Sequence, residues 1–181
     1  MPHTLWTIGH STKPSEKFLA LLKAHHIQQL VDVRTVPRSR HNPQFNREIL
    51  STSLKGNGVG YTHKPQLGGL RKPKKDSINT GWRNESFRGY ADYMQTEEFW
   101  GALDELIADG QGLRTAIMCA EAVPWRCHRS LIADALVSRG WDIRHIMSET
   151  KANQHQLTSF AVVENRLLRY PDPDAAPRLF P

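Results

Sequence analysis

Two thiols, a carboxylate, an imidazole and two guanidinium groups are concentrated within residues 119–129. The stretch follows a predicted buried strand and opens a predicted helix, so the positive end of the helix dipole and nearby arginines favour the thiolate form of either cysteine. A thiolate is a nucleophile, and an imidazole or carboxylate can move the protons that such chemistry requires. The predicted catalytic residues are Cys119, Glu121, Cys127 and His128, with Asp32 as a further acid from another loop.

Other chemistries for this stretch stay open. A cysteine on a strand is often simply a core residue. A cysteine phosphatase is disfavoured, because six residues separate Cys119 from Arg126, the loop lacks glycine, and Glu121 would repel a phosphate. Glycosidic-bond chemistry by Glu121 and Asp32, with both cysteines structural, is a further alternative.

The two cysteines also permit a metal site or a redox pair. Zinc could be bound by Cys119, Cys127 and His128 with His10 or His63, but the spacing is not that of a zinc finger, so no metal and no cofactor is predicted. The seven intervening residues can close a disulfide, although they lack the short spacing of thioredoxin-like motifs. Free thiols are expected, and a redox pair ranks below a nucleophile.

Positive charge is concentrated in one part of the chain. Residues 34–75 contain ten Lys or Arg residues and a single acid, Glu48, within a chain of net charge +6. Such a segment attracts phosphate groups, which predicts a phosphate-bearing small molecule or a nucleic acid as partner. The predicted substrate-binding residues are His10, Ser11, Arg34, Arg38, Arg126 and Arg129.

Length and composition favour one domain in the cytoplasm. A chain of 181 residues with 39% hydrophobic content can bury one core. It lacks an apolar run long enough to cross a bilayer and lacks a secretory signal pattern, so no membrane partner is expected. Two closely spaced cysteines do not resemble a secreted disulfide scaffold. The oligomeric state is not specified by the sequence.

The first part of the chain predicts a strand, a helix and a second parallel strand. Residues 5–8 are an apolar strand, Ser11 or Thr12 is the predicted N-cap of a helix, and residues 29–33 are the next strand. A helix over 46–55 and a strand over 58–61 follow. The helix that connects the strand over 5–8 to the strand over 29–33 implies parallel pairing of these two strands. Ligands of a parallel sheet collect outside the carboxyl ends of its strands.

The second part of the chain supplies the rest of the sheet. Helices are predicted over residues 88–95, 97–108 and 130–139, and strands over residues 113–119 and 141–146. The fold class is α/β, a single domain with a mostly parallel, Rossmann-like sheet flanked by helices and a C-terminal arm. Residues 1–147 form the α/β domain, and residues 148–181, with a possible helix over 160–168, form an extension packed on it or partly flexible.

The chain resembles a family known as domain of unknown function 488. The resemblance rests on motifs spread over residues 4–147, namely Thr7-Ile-Gly-His-Ser-Thr12, Val31-Asp-Val-Arg34, Pro37-Arg-Ser-Arg40, Phe45-Asn46, Leu67-Gly-Gly69, Tyr90-Ala-Asp-Tyr-Met94, Met118-Cys-Ala-Glu121, Cys127-His-Arg129 and His145-Ile146. The resemblance implies a small cytoplasmic protein with a parallel α/β core and no agreed reaction. Residues 72–81 resemble a variable insertion.

These observations predict an enzyme, a hydrolase or group-transfer catalyst, that acts on a phosphate-bearing substrate such as a nucleotide or nucleic acid. The site is predicted where folding brings residues 119–129, the cysteine loop, together with the turn at His10, the arginine turn at Arg34 and the turn after Ile146. The alternatives are a nucleic-acid-binding module with a structural cysteine loop, or a zinc-binding protein.

Overall fold

A computed structural model describes residues 3–175. One sheet of six strands, in the order β3-β2-β4-β1-β5-β6, dominates the structure. The strands are β1 (Thr4–Gly9), β2 (Gln29–Asp32), β3 (Gly60–His63), β4 (Thr115–Cys119), β5 (Asp142–Ile146) and β6 (Ala152–Gln154). All pairs are parallel except β5 with β6. The predicted α/β class with a mostly parallel, Rossmann-like sheet is confirmed.

Helices cover both faces of the sheet, and the alternation of side chains along each strand divides the core into two layers. The helices are α1 (Ser15–Ala24), α2 (Arg47–Gly56), α3 (Glu85–Tyr93), α4 (Glu97–Gly112) and α5 (Arg129–Ser138). Leu30 and Met118 pack with Phe18 of α1 and Leu54 of α2. Their neighbours along the strands, such as Val31, instead pack with residues of α3, α4 and α5.

Strand β4 has the most buried sequence of the sheet, because both of its faces are covered by helices. All of its residues, Thr115-Ala-Ile-Met-Cys119, are buried. It lies between β1 and β2, with Ile117 opposite both Thr7 and Val31. The carboxyl end of β4 therefore opens between the turn after β1 and the loop after β2.

The predicted start of α1 is wrong. The helix begins at Ser15 after Pro14, which provides no side-chain cap. Ser11 instead adopts a left-handed φ of 49° and donates its backbone N–H to the carbonyl of Ala120 at 2.8 Å. The turn after β1 is thus joined to the loop after β4, and Ser11 is not free to cap the helix.

The predicted helix over residues 160–168 is also wrong. The segment forms a hairpin of β7 (Val162–Glu164) and β8 (Leu167–Arg169). Both residues of the connecting turn, Asn165 and Arg166, have positive φ, as a type I′ turn requires. Local turn chemistry and β-branched valines outweigh the apolar spacing that suggested a helix.

The segment at residues 72–81 is attached to α3 by a buried carboxylate. Asp92 on α3 accepts hydrogen bonds from the backbone of Lys74 and from the side chains of Ser77 and Asn79, at 2.6–2.8 Å. Asn79 also accepts a hydrogen bond from the backbone N–H of Tyr170 at 2.9 Å. The segment thereby links α3 to Tyr170, and both the variable insertion and the boundary at residue 147 stay predictions.

Candidate functional site

A cleft of ≈ 410 Å³ opens where β2 and β4 end. Four pieces of chain form it: the loop after β2, the Gly69-Leu70 turn, the first turn of α3 and the loop from β4 to α5. Its lining residues are Arg34, Thr35, Val36, Arg38, Gly69, Leu70, Ser86, Phe87, Cys119, Ala120, Glu121, Arg126, Cys127 and His128. This is the position at which parallel α/β sheets bind ligands.

The two cysteines are joined by a disulfide at the wall of this cleft. The prediction of free thiols is therefore wrong, because the end of β4 and the residue before α5 converge on one point. Only 2% of Cys119 and 5% of Cys127 is exposed, yet both residues line the cleft. Besides its bond to Cys127, the sulfur of Cys119 lies 3.9 Å from the backbone carbonyl oxygen of Glu121.

His128 is held in one tautomer by the backbone of β2. Its Nε2 lies 2.9 Å from the carbonyl oxygen of Val33, which can only accept, so Nε2 carries the proton. The unprotonated Nδ1 faces the sulfur of Cys127 at 3.5 Å. Burial lowers the pKa of His128 to about 4, although hydrogen bonding to backbone carbonyls opposes this shift. The ring is consequently neutral at physiological pH.

A glycine lets the chain approach this ring closely. A Cβ atom at Gly69 would lie 2.5 Å from Nδ1 of His128, and one at Gly68 would lie 2.3 Å from the hydroxyl of Thr35. Side chains at these positions would displace the imidazole or the loop after β2. The Leu67-Gly-Gly69 motif therefore has a packing role at the cleft.

Two cationic side chains of the cleft have no carboxylate partner within residues 3–175. Arg38 and Arg126 are exposed, and neither takes part in any of the ion pairs of that region. The exposed Glu121 contributes the opposite charge. Since Arg34 is neutralised by Asp32, the remaining charges give the cleft a net positive charge that suits an anionic ligand.

Arg34 lines the cleft, but its hydrogen bonds are directed into the protein. Its Nε and Nη2 donate to the two carboxylate oxygens of Asp32 at 2.9 and 2.7 Å, and Nη2 also donates to the carbonyl of Phe45. The hydroxyl of Tyr61 donates to the same carboxylate at 2.6 Å. Burial raises the pKa of Tyr61 and the hydrogen bond to Asp32 adds to this effect. Asp32 is fully buried, and its oxygens are occupied.

His10 lies behind Arg34 and stacks on the ring of Phe45, with 4.2 Å between ring centroids. Arg34 donates to Nε2 of His10 at 3.3 Å, and Nδ1 of His10 donates to the carbonyl of Ser11 at 2.8 Å. Burial lowers the pKa of His10 to about 4, which keeps the ring neutral. Both ring nitrogens are therefore satisfied within the protein.

Arg129 holds the cysteine loop in position through a hydrogen bond to its backbone. Its guanidinium is buried, and Nη2 donates to the carbonyl of Ala122 at 3.1 Å. A Cβ atom at Gly9 would lie 2.8 Å from Nη1 of Arg129, so the end of β1 packs directly on this side chain. Burial lowers the pKa of Arg129 to about 10, with the charge of Glu121 opposing the shift.

The structure brings only some of the predicted site residues to one cleft. The cleft is lined by Arg34, Arg38, Cys119, Glu121, Arg126, Cys127 and His128. His10, Ser11, Asp32 and Arg129 are not among its lining residues. The interior hydrogen bonds of His10, Asp32 and Arg129 place them behind the wall of the cleft, where they hold the loops in position.

The turn after Ile146 also lies elsewhere. Met147 and His145 line a second cavity of ≈ 410 Å³, together with Trp125 from the cysteine loop. The loop from β4 to α5 thus separates the two cavities, since Arg126, Cys127 and His128 face the first one.

The second cavity borders a chain of hydrogen bonds that sequence patterns did not reveal. The hydroxyl of Thr7 lies 2.7 Å from Nδ1 of His145, whose Nε2 lies 2.9 Å from Nδ1 of His155. The Nε2 of His155 lies 2.7 Å from Asp134, which also accepts from the hydroxyl of Tyr170 at 2.8 Å. We call these five residues the histidine network. Its members come from distant parts of the chain, so no local spacing signals it.

Sequence reasoning also placed the start of α3 too late and so missed Ser86 as a cleft residue. The helix begins at Glu85, and the side chain of Asn84 accepts from the backbone N–H groups of Ser86 and Phe87. An asparagine before a helical segment is a standard N-cap signal and could have located this start. Phe87 also lines the cleft.

The basic segment is not a uniform surface of free charges. Lys64 is largely buried and pairs with Glu105 and Asp109 at 3.0 and 3.4 Å. Arg71 lies over the ring of Tyr93, 3.6 Å from its centroid. Some of the charge that predicted a phosphate-bearing partner is therefore used inside the protein.

No cluster of metal ligands exists in the described part of the chain, in which no three His, Cys, Asp or Glu side chains are arranged to hold an ion. The sulfur atoms of the alternative zinc site are bonded to each other. None of the helices described is long and apolar enough to cross a membrane.

Comparison with known proteins gives a family but no characterised relative. No curated protein and no solved structure matches the chain. The model of the family described as domain of unknown function DUF488 matches residues 14–136, a range that contains α1 to α4 entirely, the cleft and most of α5. The chain therefore belongs to the DUF488 family.

Proposed function

We propose that the protein is a thiol-dependent enzyme that hydrolyses or transfers a group of a phosphate-bearing substrate, such as a nucleotide or nucleic acid. The observation that carries this proposal is the pairing of Cys127 with the unprotonated Nδ1 of His128, at 3.5 Å, inside a positively charged cleft. A cysteine next to a correctly oriented imidazole is the usual arrangement of an activated thiol nucleophile.

The reaction requires the reduced form of the cysteine pair. The proton of the Cys127 thiol passes to Nδ1 of His128, and the thiolate attacks the electrophilic atom of the substrate. The bond to the leaving group breaks, and the leaving group takes the proton from His128. Water, or an acceptor hydroxyl, then attacks the bound group and gives its proton to His128; the bond to sulfur breaks, the second product leaves, and the proton returns to the Cys127 sulfur. A thiolate beside the ring stabilises the imidazolium form that burial otherwise disfavours.

Arg38 and Arg126 are the proposed phosphate-binding residues. Their guanidinium groups lie in the cleft without a carboxylate partner in the described structure, so they are available for charge-assisted hydrogen bonds to phosphate oxygens. Glu121 excludes a phosphate from its own part of the cleft and offers a second proton-transfer group. The substrate is therefore expected to bind its phosphate toward Arg38 and Arg126.

The test of catalysis uses the reduced protein, incubated with a panel of nucleotides and short oligonucleotides whose products are resolved by mass spectrometry. We expect turnover by the wild type, its loss in Cys127→Ser, and its loss in the wild type when the disulfide is re-formed. Turnover that survives replacement of both cysteines but is abolished by Glu121→Gln would instead support glycosidic-bond chemistry.

The test of binding compares charge variants by fluorescence anisotropy with a labelled oligonucleotide. Each of Arg38→Gln and Arg126→Gln should weaken binding about tenfold, the effect of one lost charge-assisted hydrogen bond. Lys17→Gln, an exposed charge on α1 outside the cleft, is the matched control. Equal weakening by all three variants would indicate non-specific attraction.

One observation favours a second candidate, a nucleic-acid-binding module without catalysis. The cysteines are bonded to each other, so the cysteine loop has the covalent closure expected of a structural clasp. This candidate predicts salt-dependent binding of DNA or RNA that persists in Cys119→Ser, with no product formed by the reduced protein.

A further inference from the structure

The cysteine pair differs from an ordinary structural disulfide in its position. It lies at the wall of an open cleft, and it joins the end of the central strand β4 to the residue that precedes His128 at the start of α5. Small molecules that enter the cleft therefore come next to both cysteines. A disulfide whose only task is to hold a fold has no need of such access.

The surroundings of the two sulfur atoms are unequal. The sulfur of Cys127 faces Nδ1 of His128, a proton acceptor, and lies just before the N-terminal end of α5, where the helix dipole stabilises negative charge. The sulfur of Cys119 is directed at the carbonyl oxygen of Glu121, which accepts from a thiol and repels a thiolate. These surroundings favour a thiolate at Cys127 over one at Cys119 when the pair is reduced.

From this asymmetry we propose that Cys127 and Cys119 form a peroxide-responsive dithiol, in which Cys127 reacts with a hydroperoxide and Cys119 then closes the disulfide. The inference concerns the oxidation state of the site and does not depend on the proposed hydrolysis or group transfer. It would make the cleft a modification site for small peroxides and make the thiol chemistry dependent on cellular redox state.

The first step is attack of the Cys127 thiolate on one oxygen of the peroxide. A sulfur–oxygen bond forms, the oxygen–oxygen bond breaks, and the departing oxygen takes the proton that His128 received from the thiol. Cys127 becomes a sulfenic acid, and one molecule of water or alcohol leaves.

In the second step the thiol of Cys119 forms the disulfide. Its sulfur attacks the sulfur of Cys127, the sulfur–sulfur bond forms, the sulfur–oxygen bond breaks, and the released hydroxide takes the Cys119 proton to leave as water. One peroxide is reduced by two electrons from two thiols. A dithiol reductant reverses the change through a mixed disulfide and is itself oxidised.

The experiment titrates the reduced full-length chain with hydrogen peroxide and follows intact mass and thiol content. We expect one equivalent to remove both thiols with a mass loss of about 2 Da, reversed by dithiothreitol. In Cys119→Ser, Cys127 should gain about 16 Da and, with excess peroxide, about 32 Da, because no second thiol is present to close the bond. Cys127→Ser should react at least about tenfold more slowly than the wild type.

His128 supplies an independent readout. His128→Gln should slow the wild-type reaction about tenfold near neutral pH, whereas His41→Gln, an exposed histidine outside the cleft, should have no effect. The proposal is overturned if the wild type accumulates sulfinic acid without forming the disulfide, or if Cys119 alone reacts as fast as Cys127 alone. Both results are read from the oxidation products, so they are separate from any failure to find a hydrolysed substrate.

Discussion

The cleft and the histidine network each contain a neutral histidine held by hydrogen bonds, but the two histidines face different groups. In the network, the chain of hydrogen bonds from Thr7 through His145 and His155 ends on the buried carboxylate of Asp134. In the cleft, the hydrogen bond from His128 to Val33 leaves Nδ1 facing a sulfur that lines an open cavity. A saturated network stabilises the fold, whereas an unsaturated acceptor beside a reactive atom can perform chemistry.

The same contrast separates the charged groups. Arg34 and Asp32 satisfy each other in the interior, while Arg38 and Arg126 extend into the cleft without carboxylate partners among residues 3–175. Residue type alone does not distinguish these arginines. Their hydrogen-bond partners distinguish them. If the histidine network is structural and the cleft is reactive, substitutions in the two regions should have different effects.

The largest effect should come from removing the end of the histidine network. Asp134→Ala leaves His155, the hydroxyl of Tyr170 and the backbone N–H of Thr158 without their buried acceptor. We expect a loss of about 3–5 kcal/mol in the free energy of unfolding, measured by urea denaturation. Asp104→Ala is the control, because Asp104 is an exposed carboxylate 3.7 Å from Arg139 and this ion pair should contribute less than about 1 kcal/mol. Equal losses would mean that the network carries no special stability.

The dependence of stability on pH should reveal the buried neutral histidines. Burial lowers the pKa of His145 from 6.5 to about 3, with the charges of His155 and Arg129 acting in the same direction. The unfolded chain therefore binds a proton at this position below pH 6.5 while the folded protein does not, so stability falls as the pH decreases from 6.5 toward 3. The slope is about 1.4 kcal/mol per pH unit for each such histidine, and His10 and His128 act in the same sense down to pH of about 4.

This slope can be assigned to His145 by comparing denaturation midpoints of the wild type and His145→Gln between pH 4 and 6. The variant should be less stable at pH 7. The slope of its unfolding free energy against pH should be smaller by about 1.4 kcal/mol per pH unit, which corresponds to one proton. A variant whose slope equals that of the wild type would show that His145 is protonated in the folded protein.

The position of His128 in the cleft can be changed by a substitution at Gly69. Gly69→Ala would place a methyl group 2.5 Å from Nδ1 of His128, so the imidazole or the backbone at residue 69 must shift. We expect a loss of about 1–3 kcal/mol in stability and slower alkylation of the reduced protein by iodoacetamide. Gly101→Ala, in α4 with open space around the added methyl group, should be neutral or stabilising by up to about 1 kcal/mol. Unchanged alkylation in Gly69→Ala would separate thiol reactivity from the position of His128.

The smallest effect should come from a single hydroxyl that is bonded to Asp134, at the same end of the histidine network. Tyr170→Phe removes the hydrogen bond to Asp134 and keeps the buried ring. Because Asp134 retains two other donors, the expected loss is about 1 kcal/mol in the free energy of unfolding, and the iodoacetamide rate of the reduced protein should not change. A change in the alkylation rate would show that the histidine network and the cleft are energetically coupled.

Much of the fold could be predicted because strands and most helices are encoded by local periodicity. The buried strand that ends at Cys119, the apolar helix α5 and the order of alternating strands and helices required only apolar patterning and the preference for parallel crossovers. The boundaries that failed, at α1 and at residues 160–168, were decided by a loop contact of Ser11 and by the left-handed turn at Asn165 and Arg166.

The sequence by itself determined which reactive groups gather near the end of β4, since Cys119, Glu121, Arg126, Cys127 and His128 lie in one short loop and all line the cleft. Only the tertiary structure decided which of the other predicted residues face that cleft. His10, Asp32 and Arg129 lie near the cleft but direct hydrogen bonds into the interior, where buried polar groups are stabilised by such partners. Several of these partners are near in sequence, such as Arg34 for Asp32. Which side chains face inward nevertheless depends on how the loops after β1, β2 and β4 pack against one another, and no local pattern records that packing.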